Sequence, residues 1–278
     1  MIDLHTHSIL SDGSCEPEEI AELAKASGCS VLSLTDHDRL DGINRARSRA
    51  HQLGIDLIAG CEVSCEFKDG SCHILVYFVE PGESALQDEL DRLLYDRENR
   101  NSKLIDRLNQ IGVQISIEEV RAQAGEGSIG RPHFAQVLVD KGMAESIQMA
   151  FDRFLAKGAP AYISKARITP GEVAKLARQS GGVAVLAHPF TLGMSLDELH
   201  LALVELKELG IVGIEAYYGK YSIEQRSALL DLAQRLDLVA TGGSDFHGSY
   251  KPGLEVGNGA GDLEVPESVI HELENRRP

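Results

Sequence analysis

An α/β barrel carrying a helical insert is the fold this sequence predicts, on three observations. Short apolar stretches alternate with amphipathic helical ones at both ends of the chain, which implies a parallel sheet. Polar clusters follow the strands, on the side where α/β barrels and open sheets keep their sites. No Gly-rich phosphate fingerprint follows the first strand, which favours a barrel over a dinucleotide-binding fold.

The elements follow in order. The first strand, Ile2–Thr6, runs into His7 and a polar loop that ends at Gly13. Residues two apart on a strand share a face, so His5 and His7 project together. A helix over Pro17–Ser27 has proline and acids in its first turn and Gly28 at its stop. The strand Val31–Thr35 ends in Asp36-His37-Asp38, and Asp41 is placed to cap the next helix, which stops at Gly54. Ile55–Ala59 is a strand leading into Gly60-Cys61-Glu62-Val63-Ser64. His73–Val79 is a fourth strand, opening on a histidine.

The alternation then breaks. Leu86, Leu90, Leu93, Leu94, Leu104, Ile105 and Leu108 recur at helical spacing. Ser116–Glu119 is a capping box. Gly130-Arg-Pro-His133 opens another helix with Pro132 in its first turn, and Ser146–Ala156 is a further one. Residues 82–158 are therefore read as a helical insertion or cap, between barrel segments 1–81 and 159–278. The alternation returns with a capping box at Thr169–Glu172 and the strand Val183–Ala187, ending in His188-Pro189. A helix to Leu209, the strand Ile211–Ala216 with Tyr217 and Tyr218 behind it, and a helix over Ser222–Arg235 follow. The strand Leu238–Thr241 leads into Gly242-Gly-Ser-Asp-Phe-His247, and a last helix covers Glu267–Arg276.

The totals bound the function. With 278 residues, 43% hydrophobic and 25% charged, the chain has the composition of a soluble globular protein. No apolar run approaches a membrane span and no signal-peptide pattern stands at Met1, so the cytoplasm is the expected compartment. The net charge of −16 argues against an extended groove for long nucleic acid. A small phosphorylated substrate remains open, because bound cations reverse the sign locally. The five cysteines are odd in number and lack a Cys-x-x-Cys pair, so no disulfide framework is expected. Cys61, Cys65 and Cys72 are read as small buried hydrophobes rather than thiolate ligands.

Ten histidines occur. His51, His200 and His271 fall within helices. His5, His7, His37, His73, His188 and His247 all fall at strand boundaries, with Asp12, Glu62 and Asp245 beside them. Scattered histidines would not segregate in this way. Six imidazoles and three carboxylates converging at one barrel end read as a multinuclear divalent metal site. Neighbouring divalent ions would make a hydroxide available near neutral pH, so no serine or cysteine nucleophile is needed. Ligand histidines must be neutral, so metal affinity is expected to fall as pH drops through about 6.5.

His5-x-His7, Ser11-Asp-Gly13, Thr35-Asp-His-Asp38, Gly60-x-Glu62, Ala187-His-Pro189 and Ser244-Asp-x-His247 occur in this order over nearly the whole chain. As a set they resemble the PHP (polymerase and histidinol phosphatase) superfamily. The resemblance implies a distorted (β/α)7 barrel with two or three metal ions, manganese foremost and iron or zinc as alternatives. Carried over by position, His5, His7, Glu62 and Asp245 would hold a first ion. Glu62 would bridge to a second on His73 and His188. Asp12, His37 and His247 would hold a third, where some relatives have histidine in place of Asp12. Asp38 is a candidate for orienting a ligand histidine.

The Gly-Arg-Pro-His-Phe segment in a helical insert resembles one branch of that superfamily, nucleoside phosphatases acting on 3',5'-nucleotide bisphosphates, mononucleotides or short RNA 5' ends. Arg131 and His133 stand at a helix start, where free N–H groups attract anions. Arg131 serves either a phosphate, which its fork suits, or a carboxylate of the protein. Lys165 and Arg167 are further phosphate candidates or solvated charges. Asp38, His247 and Arg131 are thus the catalytic candidates, with Arg131, His133 and Lys165 on the substrate. The expectation is a metal-dependent nucleotide phosphatase acting on a small nucleotide. The rivals are histidinol-phosphate phosphatase, an amidohydrolase-type C–N hydrolase, and a non-catalytic metal-binding module.

Overall fold

The computed structural model describes residues 1–278 except 69, 125–128 and 164–167, and leaves out the side chains of residues 97 and 98. Seven strands stand side by side in chain order: β1 (Ile2–Asp3), β2 (Val31–Leu34), β3 (Asp56–Cys65), β4 (Cys72–Tyr77), β5 (Val183–Leu186), β6 (Gly213–Tyr218) and β7 (Val239–Gly243). The Leu4 N–H donates to the Gly242 carbonyl at 3.2 Å, and Thr6 bridges Phe246 in parallel. These contacts bring β7 back to β1 and nearly close the sheet into a barrel. Its interior is filled by Ile2, Leu4, Leu75, Tyr77, Val183, Val185 and Val239. The buried Tyr77 hydroxyl donates to the Leu4 carbonyl at 3.0 Å, which pairs a polar tip that burial would otherwise strand.

The expected all-parallel sheet is corrected at one strand. β4 runs antiparallel to both β3 and β5, while the β1–β2, β2–β3, β5–β6 and β6–β7 pairs are parallel. The physical reason is the connection. A parallel pair needs a crossover of about a dozen residues or more, and only a short loop separates Cys65 from Cys72. β3 is also longer than expected, so Glu62 lies inside a strand opposite Leu75.

The helices are α1 (Pro17–Ala26), α2 (Ile43–Leu53), α3 (Ala85–Gln110), α4 (Ile117–Ala124), α5 (Arg131–Asp140), α6 (Ile147–Ala150), α7 (Pro170–Gln179), α8 (Leu196–Glu208), α9 (Ile223–Leu236) and α10 (Ser268–Glu274). The Ser116 and Thr169 capping boxes form as expected. Asp41 does not cap α2. Gly42 holds that position, and the Asp41 carboxylate pairs with Arg39 instead. The chain divides into two compact units, Met1–Leu90 with Arg167–Pro278, and Asp91–Ala166. The first holds the barrel. The second has a core of its own built on Leu104, Leu108, Val120, Phe134, Leu138 and Leu155. Among the described residues, no helix is long and apolar enough to cross a membrane.

Candidate metal centre

The site begins where β1 ends. Beyond Asp3 the chain stays extended, tied to the segment after β7. The Asp245 N–H donates to the His5 carbonyl and the His7 N–H to the Phe246 carbonyl, each at 2.9 Å. Between His5 and His7 the spacing of two is kept, so the two rings lie together and are wholly buried, with their Nε2 atoms 3.0 Å apart. Gly243 makes room for this. A Cβ there would stand 2.4 Å from the Cβ of His5. The loop that follows is pinned by buried Asp36, which accepts from the Ser8 N–H, the Ser8 hydroxyl and the Ser11 hydroxyl, each at 2.7 Å.

Glu62, 1% exposed, is the centre. Its Oε2 lies 3.3 Å from His5 Nε2, 3.1 Å from His7 Nε2 and 3.4 Å from His37 Nδ1. Its Oε1 lies 3.0 Å from His73 Nδ1 and 2.9 Å from His188 Nε2. On one flank, Asp245 Oδ1 is 3.6, 3.4 and 3.3 Å from nitrogens of His5, His7 and His247. On another, the half-exposed Asp12 carboxylate is 3.5 Å from His7, 3.6 Å from His37 and 3.3 Å from His247. His5, His7, Asp12, His37, Glu62, His73, His188, Asp245 and His247 are thus brought together. Their donor atoms fall into four overlapping groups: His7 with Asp12, His37 and His247; His5 with His7 and Asp245; His5 with Glu62 and His188; and His37 with Glu62 and His73. The groups cut across the three ligand sets that the resemblance implies, with His37 beside Glu62 as well as Asp12.

Electrostatics explains why so many polar groups tolerate burial together. Burial alone would raise the Glu62 carboxyl, but His37, His5 and His73 hold it well below the usual carboxylate range. Burial opposes a charge on His7, yet hydrogen bonds to Asp245 and Glu62 push the ring up to about 9. His5 is likewise held well above its ordinary value by Glu215 and Glu62, against burial. Burial wins at His37, which is pushed down to about 4.

Two observations fit divalent ions. Asp245 Oδ1 and His73 Nδ1 are buried without a well-aligned hydrogen bond, and their nearest partners are other candidate ligands at 3.0 to 3.6 Å, a crowding of donor atoms that a cation among them would satisfy. The mixed nitrogen and oxygen donors suit manganese, iron or zinc better than calcium. The backbone is bent to this end, since Asp38, His188 and Asp245 sit at φ of 56°, 25° and 53°, conformations that persist only where surrounding structure enforces them.

The remaining candidates make contacts of their own within each unit. Asp38 Oδ1 accepts from the Ser64 N–H at 2.9 Å, fixing the loop after β2 against β3. In the second unit, His133 Nδ1 accepts from the Gly130 N–H at 3.0 Å, so one ring nitrogen is spent on capping α5. The half-buried Arg131 lies with its guanidinium carbon 5.9 Å from the Tyr162 ring centroid. Lys165 and Arg167 lie outside the described residues.

Sequence reasoning missed Glu215. Wholly buried in β6, it takes His5 Nδ1 at 2.8 Å on one oxygen and the His188 N–H at 2.8 Å on the other. The available signal was a carboxylate set between Ile214 and Ala216 in an apolar strand, since a buried charge demands a partner.

The family description "PHP domain" matches residues 3–179. The chain is 31% identical over 269 residues to a 5'-3' exoribonuclease of Haemophilus influenzae, covering 96% of each. It is 31% identical over 284 residues to a 3',5'-nucleoside bisphosphate phosphatase of Chromobacterium violaceum, covering 99% of this chain and 97% of that one. A solved structure assigned as a metal-dependent phosphoesterase of Bifidobacterium adolescentis superimposes with a TM-score of 0.78 at 30% identity, over 99% of this chain and 96% of that one. His5, His7, Asp12, His37, Glu62 and His73 fall in the matched stretch, and both relatives run on over most of the chain: it belongs to the PHP domain family.

Proposed function

We propose that this chain is a metal-dependent phosphoesterase that hydrolyses nucleotide phosphomonoesters. A 3',5'-nucleotide bisphosphate, cleaved to a nucleoside monophosphate, is the first substrate, with 5'-nucleotides and short RNA 5' ends behind it. One observation carries the reading: a buried carboxylate, Glu62, within 3.4 Å of five imidazoles, those of His5, His7, His37, His73 and His188. Packing chemistry gives no reason to assemble that set, and ion binding does. The relatives named above support the substrate class, since one is a nucleoside bisphosphate phosphatase and the other acts on RNA.

His5, His7, Glu62 and Asp245 would hold one ion, Glu62 with His73 and His188 a second, and Asp12, His37 and His247 a third. Divalent ions there, manganese foremost and iron or zinc as alternatives, would supply a water that ionises near neutral pH and positive charge for the phosphoryl oxygens. The chain's own work is orientation. Glu215 keeps the His5 proton on Nδ1, so that Nε2 turns its lone pair toward Glu62. Asp36 anchors the loop that carries Asp12, and Asp38 anchors the one that carries His37. Arg131 would grip a substrate phosphate through its fork, with the other ring nitrogen of His133 and Lys165 assisting. The substrate is a small nucleotide of the cytoplasm.

The test is phosphate release by manganese-loaded protein from a 3',5'-adenosine bisphosphate, adenosine 5'-monophosphate, a 5'-phosphorylated short RNA and histidinol phosphate. Fastest release from the bisphosphate is expected. Fastest release from histidinol phosphate, or none from any nucleotide, would overturn the reading.

A further inference from the structure

We propose that Tyr218 and Lys251 hold Asp245 as a one-oxygen ligand with opposite effects, Tyr218 fixing its direction and Lys251 trimming its charge. The inference rests on the reading that the cluster binds divalent ions. The two oxygens of Asp245 live in different surroundings. Oδ1 is buried and faces nitrogens of His5, His7 and His247 at 3.3 to 3.6 Å. Oδ2 accepts from the Tyr218 hydroxyl at 2.6 Å and from Lys251 Nζ at 2.7 Å. A carboxylate with one oxygen held twice cannot turn that oxygen to an ion, so only Oδ1 is offered.

Both donors are delivered by special local structure. In β6, Glu215 pairs with Thr241 and Tyr217 with Gly242, so the strand bulges at Ala216. A bulge breaks the period of two. Glu215 and Tyr218, three residues apart, therefore both reach the cluster, one behind His5 and the other on Asp245. Lys251 follows a tight turn at Gly248 (φ 63°), where a Cβ would stand 2.0 Å from Ser14 Oγ. The Ser249 N–H donates to that same hydroxyl at 2.8 Å. The turn is thus fastened to the loop that carries Asp12.

The two donors differ in charge. The Tyr218 phenol brings no formal charge, only the O–H that it donates to Asp245 Oδ2 at 2.6 Å. It aligns the carboxylate without repelling a cation. Lys251, about one-third exposed, forms an ion pair with Asp245 at 2.7 Å, so it subtracts from the attraction that Asp245 offers an ion. Removing them should move affinity in opposite directions.

Manganese affinity of the full chain, measured by titration of chelated protein, provides the test, and it needs no substrate. Tyr218→Phe should weaken binding of one ion by roughly tenfold or more, the usual loss when a partner behind a ligand is removed. Lys251→Met should tighten it, by about tenfold at an intermediate effective dielectric. Lys251→Arg should match the parent protein. Equal affinities in all variants, or shifts of the same sign in Tyr218→Phe and Lys251→Met, would overturn the proposal. Should Tyr218→Phe fail to fold, the Lys251 pair decides alone: no tightening in Lys251→Met overturns it. A parent protein that binds no divalent ion would instead sink the reading of the cluster, which separates the two failures.

Discussion

Nδ1 of His5 lies 2.8 Å from Oε1 of Glu215, with both side chains wholly buried. The pairing decides what His5 can do. With its Nδ1–H donated to a carboxylate, its Nε2 is turned toward Glu62 and His7, where it would offer a lone pair to an ion that displaced any proton there. Glu215 also takes the His188 N–H, which supports that residue's φ of 25°. One carboxylate therefore aligns two proposed ligands from different strands.

Glu215→Gln tests this. An amide offers one acceptor oxygen where the carboxylate offered two, so a buried N–H is left facing an NH₂ group. Metal affinity should fall by roughly 10- to 100-fold, read as manganese bound per chain after dialysis at fixed free metal. Native circular dichroism with unchanged metal content would show that His5 needs no carboxylate behind it.

How much of this could be read beforehand differs by residue. His5 and His7 were readable because a strand's period of two is a local rule. Their proximity to His188, Asp245 and His247 was readable only as a shared position at strand ends, which a barrel turns into shared space. The antiparallel β4 was hidden by the regular alternation around it. The missing helix between Cys65 and Cys72 was nevertheless visible, and it forbids a parallel crossover. Glu215 and Tyr218 were hidden for a deeper reason. A bulge at Ala216 shifts which side chains face inward, and no spacing rule reveals a bulge. Asp41 was misread because capping preference is a local tendency, and Arg39, two residues away, claimed its carboxylate.

Removing the ions should abolish phosphate release. Added manganese should restore it better than magnesium, since imidazole-rich sites favour the softer ion. The measurement is phosphate release after chelation, with metal loss confirmed by elemental analysis. Full activity in fully stripped protein would reject a metal-dependent reaction.

The pH response of the stripped protein follows from the raised and lowered groups. His7 is lifted to about 9, and His5 also lies well above its ordinary value. A raised folded-state value stabilises in full below about 6.5 and loses that contribution as pH rises through the folded value. Glu62 and Asp245 are depressed, so their contribution is present above the ordinary carboxylate range and lost on acidification. His37, pushed by burial to about 4, contributes above 6.5 and loses this as pH falls to 4, partly offsetting the gain from His5 and His7. Stripped protein should therefore lose stability from pH 6.5 toward 9. An entering ion must expel the His7 proton, so the pH below which loading weakens moves up from the ordinary histidine value toward 9. The rise in Tm on adding manganese should accordingly grow from pH 6.5 toward 9. A constant rise across that window would show that the ion displaces no histidine proton.

The last prediction separates the helical unit from the metal centre. Arg131 opens α5 behind Gly130, and none of the nine proposed ligands lies in that unit. If Arg131 grips a substrate phosphate, Arg131→Ala should leave metal content intact while phosphoesterase activity drops. The lost charge-assisted hydrogen bonds are worth roughly 1.5–3 kcal/mol, about one to two decades in kcat/KM. Arg131→Lys should recover only part of the loss, because lysine keeps the charge and loses the fork. Comparing substrates locates the contact. A nucleotide bearing two phosphates should suffer more than a simple aryl phosphate if Arg131 reads the phosphate that is not cleaved. Equal losses on both would place it at the reacting phosphoryl group. No loss on either, with the fold intact, would leave Arg131 a structural residue stacked near Tyr162, and would remove a chemical reason for preferring a nucleotide to histidinol phosphate.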